Sequence, residues 1–412
     1  MLTLILALGP FLVPSQAPSW SPLGGPVPVA GRSMTPRLQV LEGRVAVTFR
    51  ERDLGLRGSV RLYDQSSERW SAIGAPGTCS NREDWWSRLA YRDQLLVRAS
   101  YEYGLHPDGG SGLNLRRFDP VADAWVRLGP LPLSSGEAHT PDIEVSPRRT
   151  VLVAYQDGPR GNGPGQPEGA VSVQEVDPVS GAARYIGSQG FSDLLVSSPR
   201  SKSWHVNLEV TSSGVPWVGW SETRASDMLF GRDLAAVARF DEDSGGWVLV
   251  GGFGLGHGAR GDHLAFELGP GDVPFAATYV PLTGTGAVRV FRWDGAAAAW
   301  LRVGPEFGEL DGVDFSPEAG YREYLALAVD PAGVPHVAYR ARTLGERIVV
   351  RRYEAAVDDW LLVGAGPFSL PNGADDYVSL DFLGYAPVVA FRHGCSDTNV
   401  CLDSQLQVWI HR

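Results

Sequence analysis

Three arginines stand in one repeated context: VAVTFR ends at Arg50, VPHVAYR at Arg340 and APVVAFR at Arg392. Each follows the aromatic that closes a dense apolar run. A guanidinium presents its N–H donors in a rigid planar fork, so three that converge would suit a carboxylate or a sulfate. A second set recurs three positions before another class of apolar run: Thr35, Trp86, Thr140, His205, His263, Tyr324 and Tyr377. One position earlier stand Met34, Trp85, His139, Trp204, Asp262, Glu323 and Asp376. Aromatics in such a ring either stack on a sugar ring or a peptide side chain, or pack on one another and plug the opening. Hydrolysis would need two carboxylates roughly 5–10 Å apart. The acids on offer are Asp262, Glu323 and Asp376, with Asp157 beside them. No nucleophile elbow, HExxH, P-loop or dinucleotide fingerprint occurs in a supporting context, so no cofactor is expected. No residue set has zinc-ligand spacing, and no metal is expected. Cys395 and Cys401 flank a five-residue loop, SDTNV, and would form a local disulfide in an oxidising compartment, leaving Cys79 over.

What positions these residues is a repeat. In Tyr63–Gly74, YDQSSERWSAIG, an aromatic is followed by Asp, then by Trp seven positions on, then by Gly four positions after the Trp. The frame returns at Phe118…Trp125…Gly129, Phe240…Trp247…Gly251, Trp293…Trp300…Gly304 and Tyr353…Trp360…Gly364. A weaker copy, Val176…Gly187, has Ala183 in the Trp slot. From Trp20 to Trp360 the marks lie about 57 residues apart, a little longer than propeller-type repeats usually run. Each interval holds an alternating apolar strand such as Leu38/Val40 or Leu380/Phe382, a tight turn, a denser apolar strand, a loop, a third strand and the Trp strand. Period-2 patterning bounded by turn residues reads as strand. Four strands per unit, repeated around a ring, predict an all-β, seven-bladed β-propeller of antiparallel blades spanning 20–412. The last unit ends at LQVWIHR without its Trp strand, and W-S-P-L-G at Trp20–Gly24 supplies it. Ring closure by that N-terminal strand is therefore expected, with six blades and a stray strand as the alternative. The recurrent Trp is expected to fill the wedge between diverging blades.

The aromatic-to-Trp spacing with its Gly-Pro-rich loop, clearest in FDPVADAWVRLGPLPL (118–133), resembles the kelch repeat. Kelch second strands end in a Gly-Gly pair; here they end TFRE, SYEY, AYQD and GWSE. The chain also resembles bacterial sialidase-like propellers. Their Asp-box, S-x-D-x-G-x-T-W, is approached by Asp243-Ser244-Gly245-Gly246-Trp247, one residue short and without the Thr. Both resemblances imply seven blades. The sialidase-like one further implies that an arginine cluster would hold an acidic group.

Strand ends alternate between two faces of a propeller. One face here carries short turns such as Leu41–Arg44. The other carries long loops at 158–169, 223–232, 251–262 and 391–403, and function concentrates on long loops held by a rigid scaffold. The centre of that face is where a site is expected.

The 412-residue chain has 50 Gly and 30 Pro, but 43% hydrophobic residues and 13 Trp, which is ample core material. Its net charge of −11, with no basic run and Lys202 the one lysine, argues against nucleic acid or an anionic membrane as partner. Residues 1–19, an apolar run followed by small residues, read as a secretory signal peptide, which would place the protein outside the cell or in the periplasm. No other stretch is long and apolar enough to span a bilayer, so no membrane insertion is expected after signal removal. The expected function is that of an exported, non-catalytic, monomeric propeller recognising a glycan or protein on its long-loop face. The alternatives are a sialidase-like or lyase-like glycan-active enzyme and a scaffold that uses its rim.

Overall fold

Alternation becomes strand wherever the sequence shows it. The computed structural model describes residues 18–29, 31–80, 82–158, 169–195, 202–223, 233–256, 264–281, 286–310, 325–370, 375–394 and 404–412. They form seven separate antiparallel sheets, six of them running outward in chain order from the first strand and the seventh ending on the N-terminal strand. In blade 1 the strands are Ser33–Leu41, Arg44–Glu51, Arg57–Asp64 and Arg69–Ala72. The first strands of blades 2 to 7 are Asp84–Arg92, Glu137–Val145, Lys202–Val210, Ala265–Gly269, Leu325–Val329 and Asp376–Leu383. First strands of neighbouring blades lie side by side around the axis. Blade 5 carries an extra strand, Phe307–Leu310, paired to its third.

The ring closes as expected. Trp20–Pro22 joins the last blade in the register Trp20↔His411, Ser21↔Ile410, Pro22↔Trp409. This covers the edge of Gln405–His411, whose unpaired N–H and C=O groups would otherwise be a template for aggregation.

Both halves of the repeat motif have local causes. The Asp after the aromatic caps the outer hairpin: Asp119 accepts from the Val121 and Ala122 amides at 2.9 and 3.2 Å, and Asp294 from Ala296 and Ala297 at 2.9 and 3.0 Å. These are Asx-type turns, in which a side-chain oxygen replaces a backbone carbonyl. The Trp does more than fill space. Its indole N–H crosses to the preceding blade and donates to a carbonyl there: Trp70 to Leu23, Trp125 to Ile73, Trp247 to Ile186, Trp300 to Val250, Trp360 to Val303, and Trp20 to Val363, all at 2.8–3.0 Å. The Gly of the motif sits beneath the next blade's indole. At Gly251 a Cβ would lie 2.4 Å from Cδ1 of Trp300, and φ is +73°.

A matched pair of variants tests this. Gly129 also has positive φ, but with Ala183 in the next Trp slot its Cβ would meet nothing closer than 3.5 Å. Gly129→Ala should cost only the left-handed penalty, about 1–2 kcal/mol. Gly251→Ala should add an overpacking cost and lose about 2–4 kcal/mol. Equal urea midpoints for the two would show that the indole contact is not what selects glycine.

Candidate functional site

In five blades the ring positions singled out above are sites of a repeated β-bulge. The pairing of first and second strands slips between Met34 and Arg37, Asp84 and Trp86, His139 and Asp142, Trp204 and Asn207, and Asp376 and Ser379. Thr35, Thr140, His205 and Tyr377 hold positive φ there, between 41° and 53°. Positive φ is an outlier for β-branched Thr and for bulky Tyr. Bulges re-aim side chains and recur beside functional sites. Here one occurs in each of five blades at the long-loop end of the first strand, so the axial mouth is a collar of re-aimed side chains.

Blades 7, 1, 2 and 3 turn one sector of that collar into a polar aromatic cluster. Trp86, Tyr101 and Tyr377 are buried against one another, with Trp85 and Tyr103 half-buried beside them. Trp85 and Tyr103 meet edge to face at 5.3 Å, and Tyr101 lies 4.6 Å from the His139 ring. Three guanidinium groups sit against these rings. Arg50 lies 4.6 Å from the Trp85 ring, Arg392 4.7 Å and Arg37 5.7 Å from the Tyr377 ring. Cation–π contacts of this kind hold both partners rigid.

The charges within the cluster are unequally committed. Arg392 donates through Nε to Asp376 Oδ1 at 2.6 Å and through Nη2 to Oδ2, a bidentate pair with both residues buried. Arg50 donates from Nη1 to the Asp84 carbonyl at 3.2 Å and lies 4.0 Å from Glu83, while its buried Nε has no hydrogen-bond partner. Burial lowers the Arg50 guanidinium below its ordinary range, and nearby Arg392 pushes the same way. Asp84 is gripped by Arg98, which also donates to Thr48 Oγ1 and the Cys79 carbonyl. Burial raises Asp84 to about 6, and the arginines keep it ionised at neutral pH. Cys79 is a free, buried thiol pushed up to about 12 by burial, so it is inert rather than a nucleophile.

Below the collar runs an axial cavity of about 230 Å³, lined by the first strands of all seven blades. Its polar lining is the alternate set of residues between the core positions: Arg37, Arg88, Asp142, Glu144, Glu209, Glu267 and Asp381 among them. Several close the gaps between blades. Asp381 accepts from the Val40 amide at 2.6 Å, Ser379 from Leu38 at 2.8 Å, and Asp142 from Leu208 at 2.8 Å. The innermost edges thus find partners for N–H groups that no further strand could satisfy. Burial drives Glu144 up to about 8 and Asp381 to about 6, and Glu209 and Glu267 well above the usual range. Mutual repulsion within the set adds to the shift for the three glutamates.

The arginine triad of the sequence reading is thereby altered. Arg50 and Arg392 come together across the closed ring. Arg340 is buried at the matching place in blade 6, facing Ile348 in the strand register. The third cation at the rings is Arg37, which the repeat context of the other three does not mark. Asp376 is held by Arg392. Asp157 is bonded within blade 3, accepting from Ser172 and Gln189 at 2.9 Å each. Trp86 and Tyr377 pack and plug, and His205 lines the axial cavity. Asp262, His263, Glu323, Tyr324, Cys395, Cys401 and most of the long loops lie outside the described residues, as do the leader residues 1–17. Tyr101, Tyr103 and Glu83 were missed. Tyr101 stands in the slot of Arg50 and Arg392, one position after Ser100, so a search for arginines alone passed over it.

No family model matches the sequence, and no curated protein does. Solved structures similar to it include a puromycin hydrolase, with 15% identity, 91% of this chain and 53% of that chain covered, and a TM-score of 0.56. The polysaccharide lyase Uly1 matches at 9% identity over 91% of this chain and 89% of that one, TM-score 0.54. Trypanosoma rangeli sialidase matches at 11% identity over 93% and 55%, TM-score 0.46. The chain thus spans about half the length of the puromycin hydrolase it resembles. At these identities the likeness is one of architecture, a propeller fold shared with a puromycin hydrolase and a polysaccharide lyase. Among the described residues no helix is long and apolar enough to cross a membrane, and no group of His, Cys, Asp and Glu is placed to hold a metal ion.

Proposed function

We propose that this chain is an exported, non-catalytic propeller that binds a glycan at the axial mouth of its long-loop face. The observation that carries the reading is the half-buried pair Trp85 and Tyr103, meeting edge to face, with Arg50 against the Trp85 ring and its Nε unpartnered. A sugar ring stacks on the face of one such aromatic through its C–H groups, and the guanidinium favours a ring that bears an acidic group. Catalysis is disfavoured because two buried carboxylates of the cluster, Asp84 and Asp376, are each committed to an arginine. The apolar leader at 1–19 supports export, which N-terminal sequencing of protein from the periplasm or medium would test.

A glycan array followed by calorimetry on the best acidic hit tests the binding. Trp85→Ala should weaken it about tenfold, equivalent to roughly 1.4 kcal/mol. Arg50→Met should weaken acidic ligands more than their neutral counterparts. Unchanged affinity in both variants would remove the aromatic pair from the account. A second measurement addresses the enzyme reading: release of unsaturated or reducing ends from acidic polysaccharides that depends on Tyr103 or His139 would replace binding by catalysis.

A further inference from the structure

The bulge of blade 2 begins on a buried acid. Asp84 pairs with Glu102 and Trp86 with Tyr101, so Trp85 is the extra residue that the bulge re-aims. The backbone of Asp84 is fixed to blade 1 on both sides. Its amide donates to the Leu56 carbonyl at 3.0 Å, and its carbonyl accepts from Arg50 Nη1 at 3.2 Å. Arg50 in turn lies 4.6 Å from the Trp85 ring. The aim of the indole and the place of the guanidinium therefore both follow from where Asp84 sits.

One ion pair holds the Asp84 side chain. Its Oδ2 accepts from Arg98 Nη2, and both side chains are buried. Its Oδ1 is buried with no hydrogen-bond partner. The other Arg98 bonds go to neutral acceptors, Thr48 Oγ1 at 2.9 Å and the Cys79 carbonyl at 3.0 Å. The pair rests on Gly58 in the third strand of blade 1, where any Cβ would collide with Arg98 Nη2 and Asp84 Oδ2.

The ionisable groups facing Asp84 are few. Arg50 comes from the second strand of blade 1, Arg98 and Glu102 from the second strand of blade 2, and Cys79 from the crossing between them. Glu102 is already engaged: Oε1 accepts from Ser100 and Asn114 at 2.8 and 2.6 Å, and Oε2 from the Arg82 amide at 3.2 Å. A buried cation that loses its partner charge is strongly destabilised. Arg98 with a neutral Asp84 is in that position, and the segment beside it able to yield is the bulge. Burial first, then repulsion from Glu102, raise Asp84 to about 6 against the pull of Arg98.

We infer that Asp84 is a positioning residue for the mouth and that its protonation turns the site off: the neutral carboxyl releases Arg98, the bulge relaxes, and Trp85 parts from Arg50. The inference rests on the mouth being the glycan site and adds the regulation of that site by acid. Binding is then present above about pH 6 and lost as pH falls through it.

Two measurements on the full chain test it. The first needs no ligand. The tryptophan fluorescence of the wild type minus that of Trp85→Phe isolates Trp85. Followed from pH 8 to pH 4.5, it should change in one step near pH 6. In an Asp84→Asn background the same difference should be flat and hold the low-pH value throughout. The second is calorimetry with tetrasaccharides of polygalacturonate and of carrageenan, whose carboxylates and sulfates stay ionised above pH 5. Affinity for the tighter of the two should fall at least tenfold between pH 7.5 and pH 5. Asp84→Asn should bind at pH 7.5 as weakly as the wild type does at pH 5. Should Asp84→Asn fail to fold, the double change Asp84→Asn and Arg98→Met, which removes both charges, replaces it with the same expectation. No optical step in the wild type, or a step that persists in the variant, overturns the proposal. So does an affinity that ignores pH, or a variant that binds like the wild type at pH 7.5. If neither saccharide binds at any pH, that counts against the mouth as the glycan site, and the optical step still decides whether Asp84 positions Trp85.

Discussion

A chain lacking residues 18–24 will not hold the closed ring, and its urea midpoint will collapse relative to the full chain. The strand Trp20–Pro22 is short, but its attachments are dense. Ser19 and Leu23 donate backbone hydrogen bonds to Arg412 and Val408 at 2.9 Å each. The Trp20 indole stacks on Phe368 at 4.0 Å and donates to Val363 across the blade boundary. Leu23 is buried in the cluster joining blades 7 and 1, and its carbonyl receives the Trp70 indole. Truncating a buried Leu costs about 2–5 kcal/mol and a Trp about 3–5 kcal/mol. Together they approach the whole stability of an ordinary domain, roughly 5–15 kcal/mol. The opened edge of Gln405–His411 would then be free to pair with another chain. Size-exclusion chromatography should show oligomers, and the point variants Trp20→Ala and Leu23→Asp should each reproduce part of the loss. A truncated chain that stays monomeric with an unchanged midpoint would mean that the ring is closed by blade packing alone.

The second large effect concerns pH. Glu144, Glu209, Glu267 and Asp381 all titrate higher in the folded protein than in an unfolded chain, because the enclosed channel disfavours their ionised forms. A group whose folded pKa is raised stabilises the fold while protonated, and that contribution is lost as pH climbs through the folded value. The loss therefore runs from the ordinary carboxylate range up to about 6 for Asp381 and up to about 8 for Glu144, opposed at Glu144 by Arg92. One pKa unit is worth about 1.4 kcal/mol, so Glu144 and Asp381 together should cost on the order of 5 kcal/mol between pH 5 and pH 8, with Glu209 and Glu267 acting in the same direction. For a chain of this size that is roughly 6 °C in Tm. Thermal unfolding should thus occur at higher temperature at pH 5 than at pH 8. The triple change Glu144→Gln, Glu209→Gln and Glu267→Gln should flatten the profile and raise Tm at pH 8. A Tm that rises with pH would mean the channel carboxylates are solvated and ionised throughout.

How much of this was readable beforehand follows from which physical constraint is local. The blade count, the strand order and the closure by Trp20–Pro22 were legible because alternation and turn residues are properties of neighbouring positions. The Asp of the motif is likewise local, capping its own turn. The Trp was read as a wedge filler, but its hydrogen bond to the preceding blade was not, since Trp300 and Val250 are 50 residues apart. At the mouth, the ring of Trp86, Tyr377 and their equivalents was located by counting, yet that these positions are bulges was invisible. A slip of register is a property of two strands, not one.

The sequence by itself determined the architecture, the sector where blades 7 and 1 become neighbours, and the irregularity at Ala183. Tertiary structure alone decided what those residues do: that Arg37 rather than Arg340 joins the aromatic rings, that Asp376 is held by Arg392, and that Asp84 bonds Arg50 beside the bulge at Trp85. The reason is physical. Periodicity and turn chemistry act along the chain and leave a trace in spacing. Charge pairing, burial and shape complementarity act between blades, across separations that no interval in the sequence records.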